Sequence, residues 1–302
     1  MPVWIAATLF AAFMQNLRFL LQRHLKVTRL STGGATWARF AFAVPFVAVV
    51  VGAYGLSTGQ SLPRPEGLYW AYAASGAMAQ MLATACVVAL FARRNFYVGI
   101  ILKKSEVILT ALIGFVLLGE GVSAPVIAAI AVGFAGVLVL SDPPQDSGLP
   151  WTKRVFNAAS GYGLASGVLF GVSAVCYRGA TLALEDGDVP MRAGMALLTA
   201  TIIQTLTLGT WLAVRERGEI WRVIACWRIS ALTGLTSMLG SLGWFIAFAL
   251  QTAAYVKALG QIELLFTFFF SAFWLREQTS RSEIIGIALI IFSLALILWS
   301  SL

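Results

Sequence analysis

Lys103, Lys104 and Glu106 lie together inside the apolar run Gly99–Leu118, and Glu263 lies inside a second such run. A charge carried to bilayer depth costs about 2.5–3.5 kcal/mol on insertion scales, so such residues are retained for a task. Ammonium and guanidinium groups in a dry cavity favour a carboxylate or another anion. A buried carboxyl can instead trade a proton for a cation. Arg18 and Arg178 extend the set, each near the far third of its apolar run. Gln15 and Asn16 precede the first, and Tyr177 precedes the second.

Two bland readings stand beside these. Lysine and arginine stems can reach toward headgroups, and Lys103 is three residues before Glu106, a spacing that places both on one helical face as a self-neutralising pair. Glu263 has no lysine at the corresponding place, where Gly260 and Gln261 stand. Arg39 and Arg192 open their apolar runs and are expected to snorkel. Trp37, Gln80, Gln204, Trp244 and Gln261 are further candidates for lining a cavity. Glu120 and Glu277 each end a run and precede a short turn, where a carboxylate can accept backbone N–H groups of the next helix, so both are expected to cap. His24 follows Arg23 in a basic loop and receives no role.

The elements that carry these residues are membrane helices. Of 302 residues, 59% are hydrophobic and 11% charged, against about 45–50% and about 25% in soluble domains. Net charge is +8, read as a basic surface at anionic headgroups rather than a nucleic-acid footprint. Cys86, Cys176 and Cys226 lie in or beside apolar runs without metal spacing, and read as buried thiols. The apolar run begins at Val3 without a charged leader, so it reads as a first membrane helix and not a removed signal peptide.

A crossing needs about 20 apolar residues. Runs of that kind occupy roughly 3–22, 34–54, 68–91, 96–118, 123–140, 159–183, 191–213, 229–250, 254–275 and 283–300. Gly163, Gly167 and Gly171, and Gly240 with Gly243, form small-residue stripes suited to close helix contact.

The pattern occurs twice. A shift of 157 residues places Glu106 on Glu263, Thr110 on Thr267, Glu120 on Glu277 and Ser123 on Ser280; a shift of 160 places Phe10 and Arg18 on Phe170 and Arg178. The fold class expected is an all-α polytopic membrane protein of ten transmembrane helices, arranged as two inverted five-helix repeats. These are 1–140 and 159–302, joined by the Pro/Asp-rich loop 141–158. An odd number of helices per repeat inverts the second, an architecture suited to alternating access around a midplane site.

Enzyme chemistry has no constellation here. Phosphate-cradling loops, paired metal ligands and a nucleophile beside a base are all missing from the sequence. No cofactor or metal is expected.

The stretch Glu-x-x-x-Thr-x-Leu-x-Gly-x-x-x-Leu-Gly-Glu from Glu106 to Glu120 resembles the signature of the EamA-type drug/metabolite transporter (DMT) superfamily. In that family a Glu-Pro opens helices four and nine and a Gly-Glu ends them. The fourteen-residue interval recurs from Glu263 to Glu277. Val107 and Leu264 replace the proline, and Ser271 and Arg276 replace glycines. Trp37-Ala-Arg39-Phe40 fits the family's second helix, whereas the Trp-Gly usual in the first is missing and Gln15-Asn16 stands nearby instead. The resemblance implies a central cavity lined by helices one, three, four, six, eight and nine, secondary transport of small metabolites, and termini in the cytoplasm. Arg23, Lys26, Arg29, Arg93, Arg94, Arg215, Arg217 and Arg222 fall in loops on the opposite side, so the positive-inside rule places the termini outside.

The leading expectation is a secondary exporter or exchanger of a small anionic, amino-acid-like metabolite in a bacterial inner membrane. Its substrate-binding candidates are Gln15, Asn16, Arg18, Gln80, Lys103, Lys104, Glu106, Tyr177, Arg178, Trp244, Gln261 and Glu263. Its partners are a small-molecule substrate, the lipid bilayer, and a coupling proton or counter-substrate. No nucleic acid is expected, and the assembly is a monomer or homodimer. A proton-coupled antiporter of cationic or aromatic compounds using Glu106 or Glu263, a flippase of an anionic lipid-linked substrate, and a non-transporting scaffold are the alternatives.

Overall fold

The computed structural model describes residues 1–91, 102–140, 158–269 and 281–300. The helices, in chain order, are α1 (Val3–Thr28), α2 (Thr32–Ala41), α3 (Ala43–Thr58), α4 (Gly67–Leu90), α5 (Glu106–Leu118), α6 (Ala124–Leu140), α7 (Ala158–Leu182), α8 (Val189–Arg215), α9 (Glu219–Ala225), α10 (Trp227–Leu250), α11 (Ala253–Leu259), α12 (Glu263–Phe269) and α13 (Arg281–Ser300). There is no strand among the described residues. This is an all-α polytopic membrane fold. Six stretches are long and apolar enough to cross a bilayer: 3–28, 32–58, 67–90, 158–182, 189–215 and 227–250. Shorter apolar helices cover 106–118, 124–139 and 284–300. Glu277, Arg276, Ser271, Ser280, Arg93, Arg94 and the loop 141–157 lie outside the described residues.

Local chemistry sets the boundaries. Ser31 Oγ accepts the Gly34 N–H at 2.9 Å and starts α2. Asp188 Oδ1 accepts the Met191 N–H at 3.0 Å at the head of α8, where Pro190 is also placed. Gly119, at φ +66°, turns the chain out of α5.

Two breaks in the helical chain stand at corresponding places. A turn at 104–105 precedes α5, and a 3₁₀ turn, Gly260–Ile262, separates α11 from α12. The first residue after each break is one of the two related glutamates, Glu106 and Glu263. A helix N-terminus carries partial positive charge, so both carboxylates sit where the backbone dipole favours them.

Three long pairings join the halves: α4 along α7, α1 along α10, and α6 along α13. Glycines allow the close approaches. A methyl on Gly243 would stand 2.8 Å from the Ala7 carbonyl oxygen, on Gly136 2.9 Å from the Gly286 carbonyl, and on Gly167 3.0 Å from the Lys103 carbonyl. Gly167 and Gly171 thus seat α7 against the broken segment that carries the lysines.

Candidate functional site

The carboxylate of Glu263 receives Lys104 Nζ as its closest partner, with Lys103 Nζ at 3.7 Å. Gln15 Nε2 donates to Glu263 Oε2 at 2.5 Å, and Asn16 Nδ2 donates to the Glu263 carbonyl at 2.9 Å. In the other direction, Lys257 Nζ lies 3.8 Å from Glu106 Oε1. Each half therefore supplies the cation for the other half's glutamate. Lys257 is the cation within ion-pair distance of Glu106, and Lys103, three residues before it, also acts on that carboxylate through space. Glu263, which has no lysine at the corresponding place in its own run, receives Lys103 and Lys104 from the first half by tertiary packing.

A central hollow lies beside this network. Arg18, Arg39, Gln80, Tyr177, Trp244 and Lys257 line it, with Ser173, Ser237 and Ser241 between them. Arg39 is 3% exposed. Its Nε donates to Ser237 Oγ at 3.0 Å and its Nη1 to Thr84 Oγ1 at 2.7 Å. The expectation that Arg39 snorkels is wrong because α2 is packed between α4, α8 and α10, leaving no path to a headgroup. Arg18 is 2% exposed and donates to Gln22 Oε1 at 3.0 Å, its guanidinium 4.2 Å from the Phe19 ring. Among the described residues neither arginine has a carboxylate at ion-pair distance.

A polar cluster fixes the opposite wall. Gln204 Nε2 donates to Gln80 Oε1 at 2.9 Å and to Tyr177 Oη at 3.1 Å, and Tyr177 Oη donates to Gln80 Oε1 at 3.0 Å. The floor is aromatic. Trp244 stacks on Phe248 with centroids 6.0 Å apart, and Lys257 Nζ is 5.1 Å from the Trp244 ring. The cavity measures about 20 Å³. That is room for a water and not for a metabolite, so a substrate is admitted only when lining side chains or the broken helices move.

Several candidates fall elsewhere. Arg178 Nε donates to Glu120 Oε1 at 2.7 Å, and Nη1 to the carbonyls of Phe248 and Ala249 at 2.7 and 3.3 Å. It clamps the end of α10 and does not line the hollow. The described bonds of Glu120 run to Arg178, not to backbone N–H groups of α6, because the guanidinium is the stronger donor within reach. Gln261 points toward Gly133 between α6 and α13. Lys103, Lys104 and Glu263 border a second hollow on the outer flank of α1.

Arg39, Lys257, Ser173, Ser237 and Ser241 are among the lining residues that the binding candidates left out. Arg39 carried a signal: it is seven residues into its helix, too deep for an easy escape, and belongs to Trp37-Ala-Arg39-Phe40. Lys257 carried none, since its partner lies in the other half.

The sequence from 158 to 299 matches the EamA-like transporter family. This segment belongs to that family. This match indicates a membrane transporter of the drug/metabolite type. The matched EamA-like segment covers α7 to α13 and includes Lys257 and Glu263. A search of curated proteins finds no match. A solved crystal structure, "Crystal structure of protein", aligns over 96% of this chain and 96% of its own with a TM-score of 0.67 and 18% identity, a likeness of fold.

Proposed function

We propose that the protein is a secondary transporter of a small anionic metabolite bearing a carboxylate, working by alternating access as exporter or exchanger in a bacterial inner membrane. One observation carries this reading. Two guanidinium groups, Arg18 and Arg39, line one hollow and among the described residues are bonded only to neutral groups. Together with Lys103, Lys104 and Lys257 they make five embedded cations against the two carboxylates Glu106 and Glu263. A low-dielectric site with that surplus favours an anion, and guanidinium matches a carboxylate with paired hydrogen bonds.

The ten-crossing, two-repeat arrangement (1–140 and 159–302) is part of the proposal. The pairings support it: exchanging the halves turns α1 on α10 into α7 on α4 and returns α6 on α13 to itself. The breaks before Glu106 and Glu263 are the elements whose ion pairs would exchange between inward and outward states.

Purified protein in proteoliposomes tests this by counterflow against a panel of amino acids, mono- and dicarboxylates, and amines of matched size. Carboxylates are expected to exchange and amines not. Exchange of amines alone, or carboxylate exchange unaltered by Arg18→Gln and by Arg39→Gln, overturns the reading.

A second reading, proton-coupled antiport, rests on Glu106 Oε2, which is buried without a hydrogen-bond partner. Loss of pH-gradient-driven amine efflux in Glu106→Gln would favour it.

A further inference from the structure

The second hollow lies on the flank of α1 that faces away from α10. Its volume is about 250 Å³. Phe13, Leu17 and Leu20 of α1, Phe91 beyond α4, and Phe266 of α12 form its sides. Lys103, Lys104 and Glu263 close its inner end, and Arg23 stands at its margin. Phe13 and Leu20 are about half exposed, so this mouth opens sideways, toward acyl chains, rather than into the bundle.

We propose that this crevice binds a single-tailed amphiphilic anion, a carboxylate carrying one short hydrocarbon tail, admitted laterally from the bilayer. Charge selects the head. At and behind the inner end Lys103, Lys104 and Lys257 outnumber the carboxylates of Glu263 and Glu106 by one, which favours an incoming anion in a place with little water to screen it. The apolar sides select the tail, since hydrocarbon there replaces lipid contacts without exposing polar surface. Size selects the number of chains. A volume of about 250 Å³ is at the lower end of small-molecule pockets, about 300–1,000 Å³, and suits one short chain rather than the two of a phospholipid.

The crevice also adjoins the central hollow. Lys103 Nζ is 5.3 Å from the Phe170 ring centroid, and Lys257 Nζ is 5.6 Å from the same ring. Phe170 lines the central hollow. The lysine of the crevice and the lysine of the hollow therefore both stand near one aromatic ring. Binding in the crevice needs only these residues and does not rest on which metabolite, if any, the central hollow carries.

The test uses the full chain in nanodiscs of zwitterionic lipid and a diazirine-bearing decanoic acid as photoprobe, with labelled peptides mapped by mass spectrometry. Label is expected on residues 13–20 and 264–266. Excess decanoate should block it, and equal concentrations of decyltrimethylammonium and decanol should not. Leu17→Trp fills the crevice without touching an ion pair and should reduce labelling at least tenfold; Lys104→Gln should do the same. Should Lys104→Gln fail to fold, Leu17→Trp decides alone. Label elsewhere, equal protection by the cation or the alcohol, or undiminished labelling in Leu17→Trp overturns the proposal. Displacement by added phosphatidylglycerol but not by decanoate would also overturn it, assigning the crevice to a bilayer phospholipid.

Discussion

Glu263, the first residue of α12, is paired with Lys104 from the first half of the chain, while Glu106, its counterpart at the head of α5, is paired with Lys257 from the second. The two ion pairs thus link the halves, beside the Lys103–Glu263 and Arg178–Glu120 contacts. Removing one partner of a buried pair leaves the other charge uncompensated, at about 3–5 kcal/mol. Glu263→Gln is therefore expected to destabilise strongly, and Glu263→Gln combined with Lys104→Met to destabilise by less than the sum of the single changes. Thermal unfolding of the four proteins in one detergent measures this. Additivity to within about 0.5 kcal/mol would mean that the two groups do not interact.

Arg39 behaves differently because it has no carboxylate to lose. Its replacement by glutamine removes a buried charge and leaves neutral hydroxyls behind, so unfolding temperature should hold or rise. Carboxylate counterflow should fall more than tenfold, about 1.4 kcal/mol of lost binding or more. Arg39→Lys should not rescue it. One ammonium cannot hold Ser237 and Thr84 from two separate nitrogens and also present a planar edge to a carboxylate. Normal counterflow in Arg39→Gln would remove this residue from the substrate site.

The contrast between these residues explains what the sequence could disclose. Apolar runs of bilayer length predicted the helices closely, because lipid imposes the same length and hydrogen-bond demand on every crossing. Runs 68–91, 159–183 and 229–250 meet α4, α7 and α10 to within two residues. The run 254–275 reads as continuous, yet its chain breaks at Gly260–Ile262. Hydropathy does not report a break that stays apolar. Glu106 and Glu263 were legible as a related pair because polar letters are scarce in such segments. Their partners were not. Lys103 lies nearer to Glu106 in sequence, whereas packing of α1, α11 and α12 decides which cation reaches which carboxylate. Arg178 was misplaced for the same reason: depth along a helix is visible in sequence, but the neighbour on the next helix is not.

Arg178 and Glu120 make a separate clamp. The guanidinium holds one carboxylate and two carbonyls at the C-terminal end of α10, where the helix dipole also favours a cation. Hydrogen bonds to charged groups contribute about 1.5–3 kcal/mol. Arg178→Ala should lower stability by about that amount while leaving the KM for a transported carboxylate within twofold of the parent protein. A large rise in KM with stability unchanged would return Arg178 to the binding site.

Asp188 gives a pH-dependent prediction outside the spanning segments. Its partial burial would raise the carboxyl's pKa, but the Tyr54 hydroxyl at 2.5 Å, the Gln60 amide at 2.9 Å, the Met191 N–H and the charge of Arg192 together hold it below the ordinary value. A carboxyl with a depressed folded-state pKa contributes stability that is fully present above the unfolded value, about 3.9 for aspartate. That contribution is lost as pH falls from there through the folded-state value, because the unfolded chain takes up the proton first. Asparagine at this position keeps an oxygen for the α8 cap but cannot titrate. The unfolding temperature of the parent protein should therefore drop more steeply than that of Asp188→Asn between about pH 5 and pH 3, with the gap between them constant above pH 6. Parallel profiles across that window would show that the carboxylate's bonds to Tyr54 and Gln60 add nothing beyond what an amide supplies.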